Sequence, residues 1–223
     1  MTRPDTTRER ILETAERLFA QQGIDQTSAR QINQAAGQRN ASAIAYHFGS
    51  KDALLKAVLD YRRETINQRR LELLAAVERD NRQHDLHSLV EVLVHPLAER
   101  LEETRRGDYY LQVIAQITGH PRYYRLPQLH PEHGSGLQRL LELLQAAMPD
   151  SPPALLHQRF GMALRQTFHE LADFQRVYLE KRRQPVNVRL FIHQLDDVIA
   201  GIFTAPVSAE TRRALDRSHE HVA

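Results

Sequence analysis

Residues 26–51 form the stretch whose side chains are best suited to binding chemistry. This stretch carries Arg30, Arg39 and Lys51 but no aspartate or glutamate, and it is rich in Gln, Asn and Ser. Arginine, asparagine and glutamine match the hydrogen-bonding edges of guanine and adenine, while lysine and arginine pair with phosphate. Residues 1–51 hold seven Lys and Arg against five Asp and Glu, and all five acidic residues precede position 26. The stretch therefore favours contact with duplex DNA.

Two short helices joined by a turn are predicted to position these side chains. An S-x-x-Q capping box begins the first helix at Ser28, and Gly37 stands where that helix would end. The second helix covers about residues 41–47, with Ile44 and Phe48 facing inward. A helix–turn–helix of this kind places its second helix in the major groove of DNA.

The composition is typical of an all-α protein without disulfides. Gly numbers only 9 among 223 residues, Cys is absent, and Leu, Ala, Arg, Glu and Gln are plentiful. The net charge of +2 says little by itself about nucleic acid. No apolar signal region opens the chain, and no apolar run reaches membrane-spanning length. We therefore expect a cytoplasmic protein that makes no contact with a membrane.

Apolar spacing and capping residues divide the chain into further helices. Thr6 opens a first helix that Gly23 ends, and Ser50 caps a long helix. Pro96 is expected to kink the next helix, which extends to Leu101. The remaining helices are predicted at about residues 109–118, 137–144, 153–182 and 188–203, with a short one after residue 208 and an irregular segment over 120–134.

Three segments carry a resemblance to a known family. They are ERILETAERLFAQQG in the first helix, TSARQINQAAG in the second, and AIAYHFGSKDALLKAV leading into the long helix. Together they resemble the TetR family of bacterial transcriptional regulators over about the first 60 residues. The rest of the chain is similar to the family only in its all-helical pattern. The turn between Gly37 and Ser42 is longer than in the commoner family pattern.

The resemblance implies an all-α fold with a three-helix helix–turn–helix DNA-binding head and a larger helical bundle that carries a ligand pocket and a dimer interface. The expected domains are residues 1–50 for DNA binding and residues 51–223 for ligand binding and dimerisation, connected by the helix from Ser50. The implied function is that of a sequence-specific transcriptional regulator, a ligand-responsive repressor that binds a near-palindromic operator as a homodimer. No cofactor is expected.

The resemblance also assigns residues to the DNA surface. Small residues on the second short helix would let its backbone approach base edges, and Arg39 and Asn40 suit guanine and adenine. Residues at the starts of the neighbouring helices would meet phosphate. The predicted contacts are Thr27, Ser28, Arg30, Gln38, Arg39, Asn40, Ala41, Ser42, Ala43, Ala45, Tyr46, His47 and Lys51. The alternative is that Tyr46, His47 and Phe48 only fix the short helix to its neighbours, and that the basic side chains are merely solvated.

The last two long helices offer a dimer surface. Apolar residues occupy more than one side of helix 188–203, and a helix of this kind must be buried on both sides. They are Val188, Leu190, Phe191, Ile192, Leu195, Val198, Ile199, Ile202 and Phe203. The helix before it contributes Phe160, Leu164, Leu171 and Tyr178. Two copies related by a twofold axis would read two half-sites. The alternative is an ordinary monomeric core.

The resemblance places a ligand pocket among the carboxy-terminal helices. Its predicted lining combines apolar walls with a few polar groups, which suits a partly hydrophobic small-molecule effector. The residues are Tyr109, Tyr110, Val113, Gln116, Ile117, Met162, Arg165, Gln166, Phe168 and His169. For the polar members the alternative is a solvated helix face. His120, His130 and His133 fall in one loop without helical spacing, and no metal site is predicted there.

Other classes of function find less support in the sequence. An enzyme is not predicted, because no Glu has a His three residues later for a di-iron site. Neither a glycine-rich phosphate loop nor a G-x-S-x-G turn occurs. The remaining alternative is a helical adaptor or ligand-binding protein whose amino-terminal head contacts protein instead of DNA.

Overall fold

The computed structural model describes residues 6–38, 40, 42–103, 108–125, 134–180 and 187–220. Its regular elements are α-helices, which confirms the predicted all-α class. In chain order they are α1 (Thr7–Gln22), α2 (Ala29–Ala35), α3 (Ala43–Phe48), α4 (Lys51–Arg79), α5 (Leu86–Ala98), α6 (Arg100–Glu103), α7 (Tyr110–Thr118), α8 (Ser135–Ala147), α9 (Pro153–Glu180), α10 (Val188–Thr204) and α11 (Ala209–Glu220).

Helices α1, α2 and α3 form the amino-terminal head. Thr6 caps α1 in the predicted capping box, and Ser28 and Gln31 form a second capping box at the start of α2. The apolar stripe of α1, from Ile11 to Phe19, is buried, and α1 packs against α2 and α4. Because α2 and α3 are too short to be stable in isolation, this packing holds the head together.

Helix α4 joins the head to the rest of the chain. It has 29 residues and begins at Ser50, whose hydroxyl accepts the N–H of Ala53 at 3.1 Å. At the usual rise per residue it is about 43 Å long. It packs on α1 and α3 in the head and on α5 and α8 in the bundle, with Leu54, Val58 and Leu74 buried. One unbroken helix therefore connects the two parts of the molecule.

Helices α5 to α10 form the larger bundle. α7 packs on α9, and α10 packs on both α5 and α9. Just before α7, Asp108 Oδ1 accepts the N–H of Tyr110, the first residue of that helix, at 3.0 Å. The helix that contains Pro96 does not reach Leu101 as the spacing predicts, because α5 ends at Ala98 and the single turn α6 follows it. Pro96 has no N–H to donate to the carbonyl of Val92 four residues earlier, which weakens the last turns of this helix.

None of the described helices is by itself long and apolar enough to span a membrane. α10 and the beginning of α11 meet the criteria of length and composition only when the two helices are counted together. The angle between these two helices is 63°.

Candidate nucleic-acid interface

Helix α3 presents small residues and one tyrosine to solvent. Ser42, Ala45 and Tyr46 are exposed, and Tyr46 reaches 84% exposure. Ile44 lies on the opposite side and packs in the core, as predicted. The alternative in which Tyr46 fixes α3 to its neighbours is therefore wrong. The predicted DNA contact of Ala43 also needs correction, because its side chain is buried beside that of Ile44.

The carboxyl end of α3 carries a cluster of rings and one arginine. The rings of Tyr46 and His47 meet edge to face with centroids 4.9 Å apart, and His47 and Phe48 are partly buried. The guanidinium of Arg8 lies 5.1 Å from the centroid of the Phe48 ring. Arg8 is exposed in the first turn of α1, so it adds positive charge beside α3. Sequence spacing gives no sign of this contact, because it joins residues that are distant in the chain.

The turn between α2 and α3 is closed by its own side chains. The amide of Gln38 donates to a backbone carbonyl at the end of α2 at 3.1 Å. Asn40 Oδ1 accepts the N–H of Ser42 at 2.9 Å and the Ser42 hydroxyl at 2.7 Å. The side-chain oxygen of Asn40 is thus bonded within the protein, while its side-chain NH₂ group has no hydrogen-bond partner among the described residues. The predicted contacts of Arg39 and Ala41 lie outside the described residues.

Of the residues predicted to contact phosphate at the start of α2, two are exposed and one is buried. Ser28 and Arg30 are exposed, and the Ser28 hydroxyl caps the helix. Thr27 is fully buried, and its hydroxyl donates to the carbonyl of Gly23 at 2.8 Å and lies 3.2 Å from that of Leu18. The predicted phosphate contact of the Thr27 side chain therefore needs correction. This side chain closes the turn between α1 and α2 instead.

Lys51, the first residue of α4, is held against the head. Its ammonium donates to the carbonyl of Ile24 at 2.5 Å and lies 6.0 Å from the centroid of the Phe19 ring. An ammonium carries further N–H donors, which leaves capacity for a phosphate oxygen. Lys51 therefore fixes the start of α4 to the α1–α2 turn as well as placing positive charge there.

The side chain of Gln116, near the end of α7, is also bonded to the head. Its Oε1 accepts the N–H of Ile24 at 3.2 Å, and its Nε2 donates to the carbonyl of Phe19 at 2.9 Å. Both ends of the side-chain amide are thus used to hold the α1–α2 turn. The prediction that Gln116 lines a ligand pocket is replaced by this role.

The segment that follows α7 continues the connection. The N–H of Arg122 donates to His120 Nδ1 at 3.1 Å, so the ring proton is on Nε2, which donates to Asp25 at 3.1 Å. This hydrogen bond lowers the pKa of the exposed Asp25 carboxyl. The hydroxyl of Tyr123 donates to Asp52, in the first turn of α4, at 2.9 Å. The segment after α7 therefore contacts both the α1–α2 turn and the start of α4.

A buried cluster of charges lies where α1, α4, α6 and α7 meet. Glu16 accepts from Arg62 Nε at 2.8 Å and from the N–H of Tyr109 at 2.6 Å. Asp108 accepts from Arg100 Nε at 2.9 Å and lies 3.6 Å from Arg62. Burial and the neighbouring Asp108 raise the pKa of Glu16 to about 7, against the opposing effect of Arg62. Tyr109, predicted to line the ligand pocket, contributes its backbone N–H to this cluster.

The residues predicted to line a ligand pocket do not share one surface. Tyr110, Val113, Ile117 and Phe168 are buried in the core, whereas Met162, Arg165 and His169 lie exposed on α9. Gln166 donates to Glu170 on the same helix at 2.7 Å. Two cavities formed by described residues lie elsewhere, one of about 390 Å³ between α5 and α10 and one of about 220 Å³ between α4 and α5.

No group of three or more His, Asp or Glu side chains placed to hold a metal ion occurs in the described part of the chain. His130 and His133 of the predicted irregular loop lie outside that part. His120 forms the bond to Asp25 described above.

The three-helix head, its exposed second short helix and the long connector to a helical bundle define the class of helix–turn–helix regulators. Residues 11–58 match the sequence pattern described as "Bacterial regulatory proteins, tetR family". Residues 91–201 match the one described as "Tetracyclin repressor-like, C-terminal domain". The chain belongs to the TetR family of bacterial transcriptional regulators.

Individual relatives agree with this assignment. The chain is 37% identical over 100 residues to the HTH-type transcriptional regulator AcrR of Shigella flexneri, a match that spans 45% of this chain and 44% of that protein. A Shewanella sp. PV-4 structure described as a TetR-family transcription regulator has a TM-score of 0.60 at 16% identity, covering 89% of this chain and 96% of the other. Bacillus subtilis FadR in complex with stearoyl-CoA has a TM-score of 0.51 at 14% identity, covering 89% and 98%. At these identities the solved structures show the shared fold alone.

Proposed function

We propose that the chain is a ligand-responsive repressor that binds a near-palindromic operator as a homodimer. The observation that carries the DNA partner is the outward face of α3, where Ser42, Ala45 and Tyr46 are exposed within a stretch that contains no acidic residue. Duplex DNA favours a surface of this composition, since carboxylates would repel its phosphates.

The proposed contacts combine the geometry of the described head with the sequence-based assignment of Arg39 and Ala41, which lie outside the described residues. Base edges are met by the exposed residues of α3 and its preceding turn, and phosphates by residues around them. The base-contacting set is Gln38, Arg39, Asn40, Ala41, Ser42, Ala45 and Tyr46, and the phosphate-contacting set is Arg8, Ser28, Arg30, His47 and Lys51. Thr27 and Ala43 are left out as side-chain contacts because both are buried.

The outer faces of α9 and α10 support the proposed dimer. Leu195 and Ile199 face the core of the bundle, whereas Leu190 and Val198 are at least half exposed on the other side of α10, as is Met162 on α9. Helix α10 therefore carries apolar side chains on its outer side as well, and only its inner side is covered by the described residues. The buried Leu171, predicted for the partner surface, belongs to the core instead, and the side chain of Tyr178 lies outside the described residues.

Gly201 gives a second argument for a partner helix. It follows Val198 on the outer side of α10, and a Cβ placed on it would meet no atom within 4 Å. Glycine inside a helix costs about 1 kcal/mol relative to alanine. Nothing within the described chain requires glycine here, whereas the close approach of a second helix would.

Repression controlled by a small molecule is the part of the proposal that rests on kinship. The AcrR relative is a transcriptional regulator by name, and FadR was solved with stearoyl-CoA. A partly hydrophobic effector fits this group, although the residues predicted for its pocket do not converge. The alternative function, an adaptor whose head contacts protein, makes the opposite prediction for the salt dependence of DNA binding.

The proposal is tested by selecting bound duplexes from a random pool with the full chain. We expect the selected sequences to converge on two half-sites related by a twofold axis. The affinity for the selected operator and for random duplex should fall steeply with added salt, because phosphate contacts release counterions. An adaptor would give no convergent sequence and a flat salt response.

A further inference from the structure

A cavity of about 390 Å³ lies between the end of α5 and the start of α10. This volume falls within the range of small-molecule sites. Ala98, Val188 and Ile192 give it an apolar wall, and His95, Arg189 and His193 add polar groups. None of these six residues belongs to the proposed DNA surface or to the predicted ligand set.

Two acidic side chains beside this cavity, Glu99 and Asp196, each already contact a basic side chain. Glu99, which also lines the cavity, accepts from Arg69 Nε of α4 through both oxygens, at 2.9 and 3.0 Å. The buried Asp196 lies 3.1 Å from His95 Nε2, and this hydrogen bond raises the pKa of His95, so that the imidazole is more readily protonated.

Arg189 is a further cation beside the cavity, and it takes part in neither of these two pairs. Its Nε lies 3.4 Å from His193 Nε2, and no carboxylate in the described part of the chain contacts its guanidinium. The cavity therefore combines an apolar wall with the guanidinium of Arg189, which contacts no carboxylate in the described part of the chain.

We propose that this cavity binds an organic carboxylate that carries a short aliphatic chain or a single aromatic ring. The carboxylate pairs with the Arg189 guanidinium, which offers two parallel N–H donors to a carboxylate. The apolar part of the ligand covers Ala98, Val188 and Ile192. Because Glu99 also bonds to Arg69 of α4, the cavity contacts the helix that leads to the head. An effect of the ligand on DNA binding rests on the proposed function.

Calorimetry on the full chain without DNA tests the site, with octanoate, octanol and octylamine as probes of one chain length and three head groups. We expect saturable binding of octanoate, and weaker binding of octanol. Arg189→Gln should weaken octanoate binding at least tenfold. The matched control is Arg176→Gln, which removes an exposed arginine from α9 and should leave octanoate binding unchanged.

Octylamine tests the competing possibility that the cavity binds a cationic head group through Asp196. Asp196 Oδ1 has no hydrogen-bond partner among the described residues and would attract an ammonium. Tighter binding of octylamine than octanoate, equal octanoate binding by the parent and Arg189→Gln, or no binding of octanoate would each overturn the proposal. Operator binding is measured separately, so a chain that binds octanoate but no operator would refute only the repressor assignment.

Discussion

Tyr46 is a large aromatic side chain that the fold holds out in solvent. Its neighbour Ile44 anchors α3 in the core at 3% exposure, so the backbone of this helix does not depend on Tyr46. A tyrosine at 84% exposure contributes little to stability. It is, however, well suited to a nucleic acid, because the ring can pack on a sugar or base and the hydroxyl can bond to phosphate.

Replacing this side chain should separate binding from folding. We expect Tyr46→Ala to change the free energy of unfolding by less than about 0.5 kcal/mol. Its affinity for the selected operator should fall by roughly 1–3 kcal/mol, the range of one lost base contact. Tyr124→Ala, which removes another exposed tyrosine, is the matched control and should bind the operator normally. Fluorescence anisotropy and urea denaturation give the two quantities, and unaltered operator affinity would remove Tyr46 from the interface.

Glu16 has the opposite environment, since it is 1% exposed and bonded to Arg62 and Tyr109. Its pKa rises from the ordinary 4.5 to about 7, so between these values the folded chain holds a proton that the unfolded chain has lost. A state that binds more protons is weakened as pH rises. The stabilisation from this proton is therefore complete below about pH 4.5 and is lost as pH rises through about 7.

Glu16→Gln tests this loss of stability with rising pH. Glutamine keeps an acceptor for the N–H of Tyr109 but does not titrate. We expect the unfolding free energy of the parent, relative to the variant, to fall by roughly 1–3 kcal/mol between pH 5 and pH 8. Urea titrations at fixed protein concentration measure this difference. A constant difference across the pH range would show that Glu16 stays charged beside Arg62.

At the scale of elements, sequence was informative where the deciding contact is local. The capping boxes at Thr6 and Ser28 join residues one helical turn apart, and both are present. Burial within the head was not predictable in this way. Thr27 and Ala43 look like accessible polar and small residues, yet the packing of the short helices covers both. Their position depends on tertiary contacts that local spacing does not encode.

Gln116 shows the same limit over a longer distance. It lies on a helix with clear apolar periodicity, and nothing in that pattern indicates that its amide reaches a backbone 92 residues away in the sequence. Its two hydrogen bonds connect α7 to the α1–α2 turn. Lys51, the first residue of α4, donates to a carbonyl of the same α1–α2 turn.

Removing the Gln116 amide should loosen this connection locally. We expect Gln116→Ala to lower the unfolding free energy by about 1–2 kcal/mol, because it loses two partly buried hydrogen bonds. The amide of Ile24 should exchange with solvent faster, while amides in the centre of α9 keep their protection. Gln166→Ala, whose amide bonds only within α9, is the control. Unchanged exchange at Ile24 would show that the turn is held by other contacts.

At the scale of the whole molecule, the proposed two-half-site operator requires a second copy of the chain. One short helix in a groove reads only a few base pairs, and a second copy doubles the contacts. The bundle offers the means to pair: α10 buries Leu195 and Ile199 inward and exposes Leu190 and Val198 outward. α4 runs from the bundle to the head. In the proposed dimer, the spacing of the two heads therefore follows from how the two bundles pair.

Val198→Glu tests this arrangement. A twofold interface contains every substitution twice, and an unpaired carboxylate buried there costs several kcal/mol. We expect the parent chain to sediment as a dimer and Val198→Glu as a folded monomer, with weaker binding to a two-half-site operator and little change on a single half-site. Ala75→Glu, which adds the same charge to an exposed position of α4, should remain dimeric. A Val198→Glu protein that stays dimeric would mean that the copies pair through another surface, and the spacing of the heads would then have to follow from that surface.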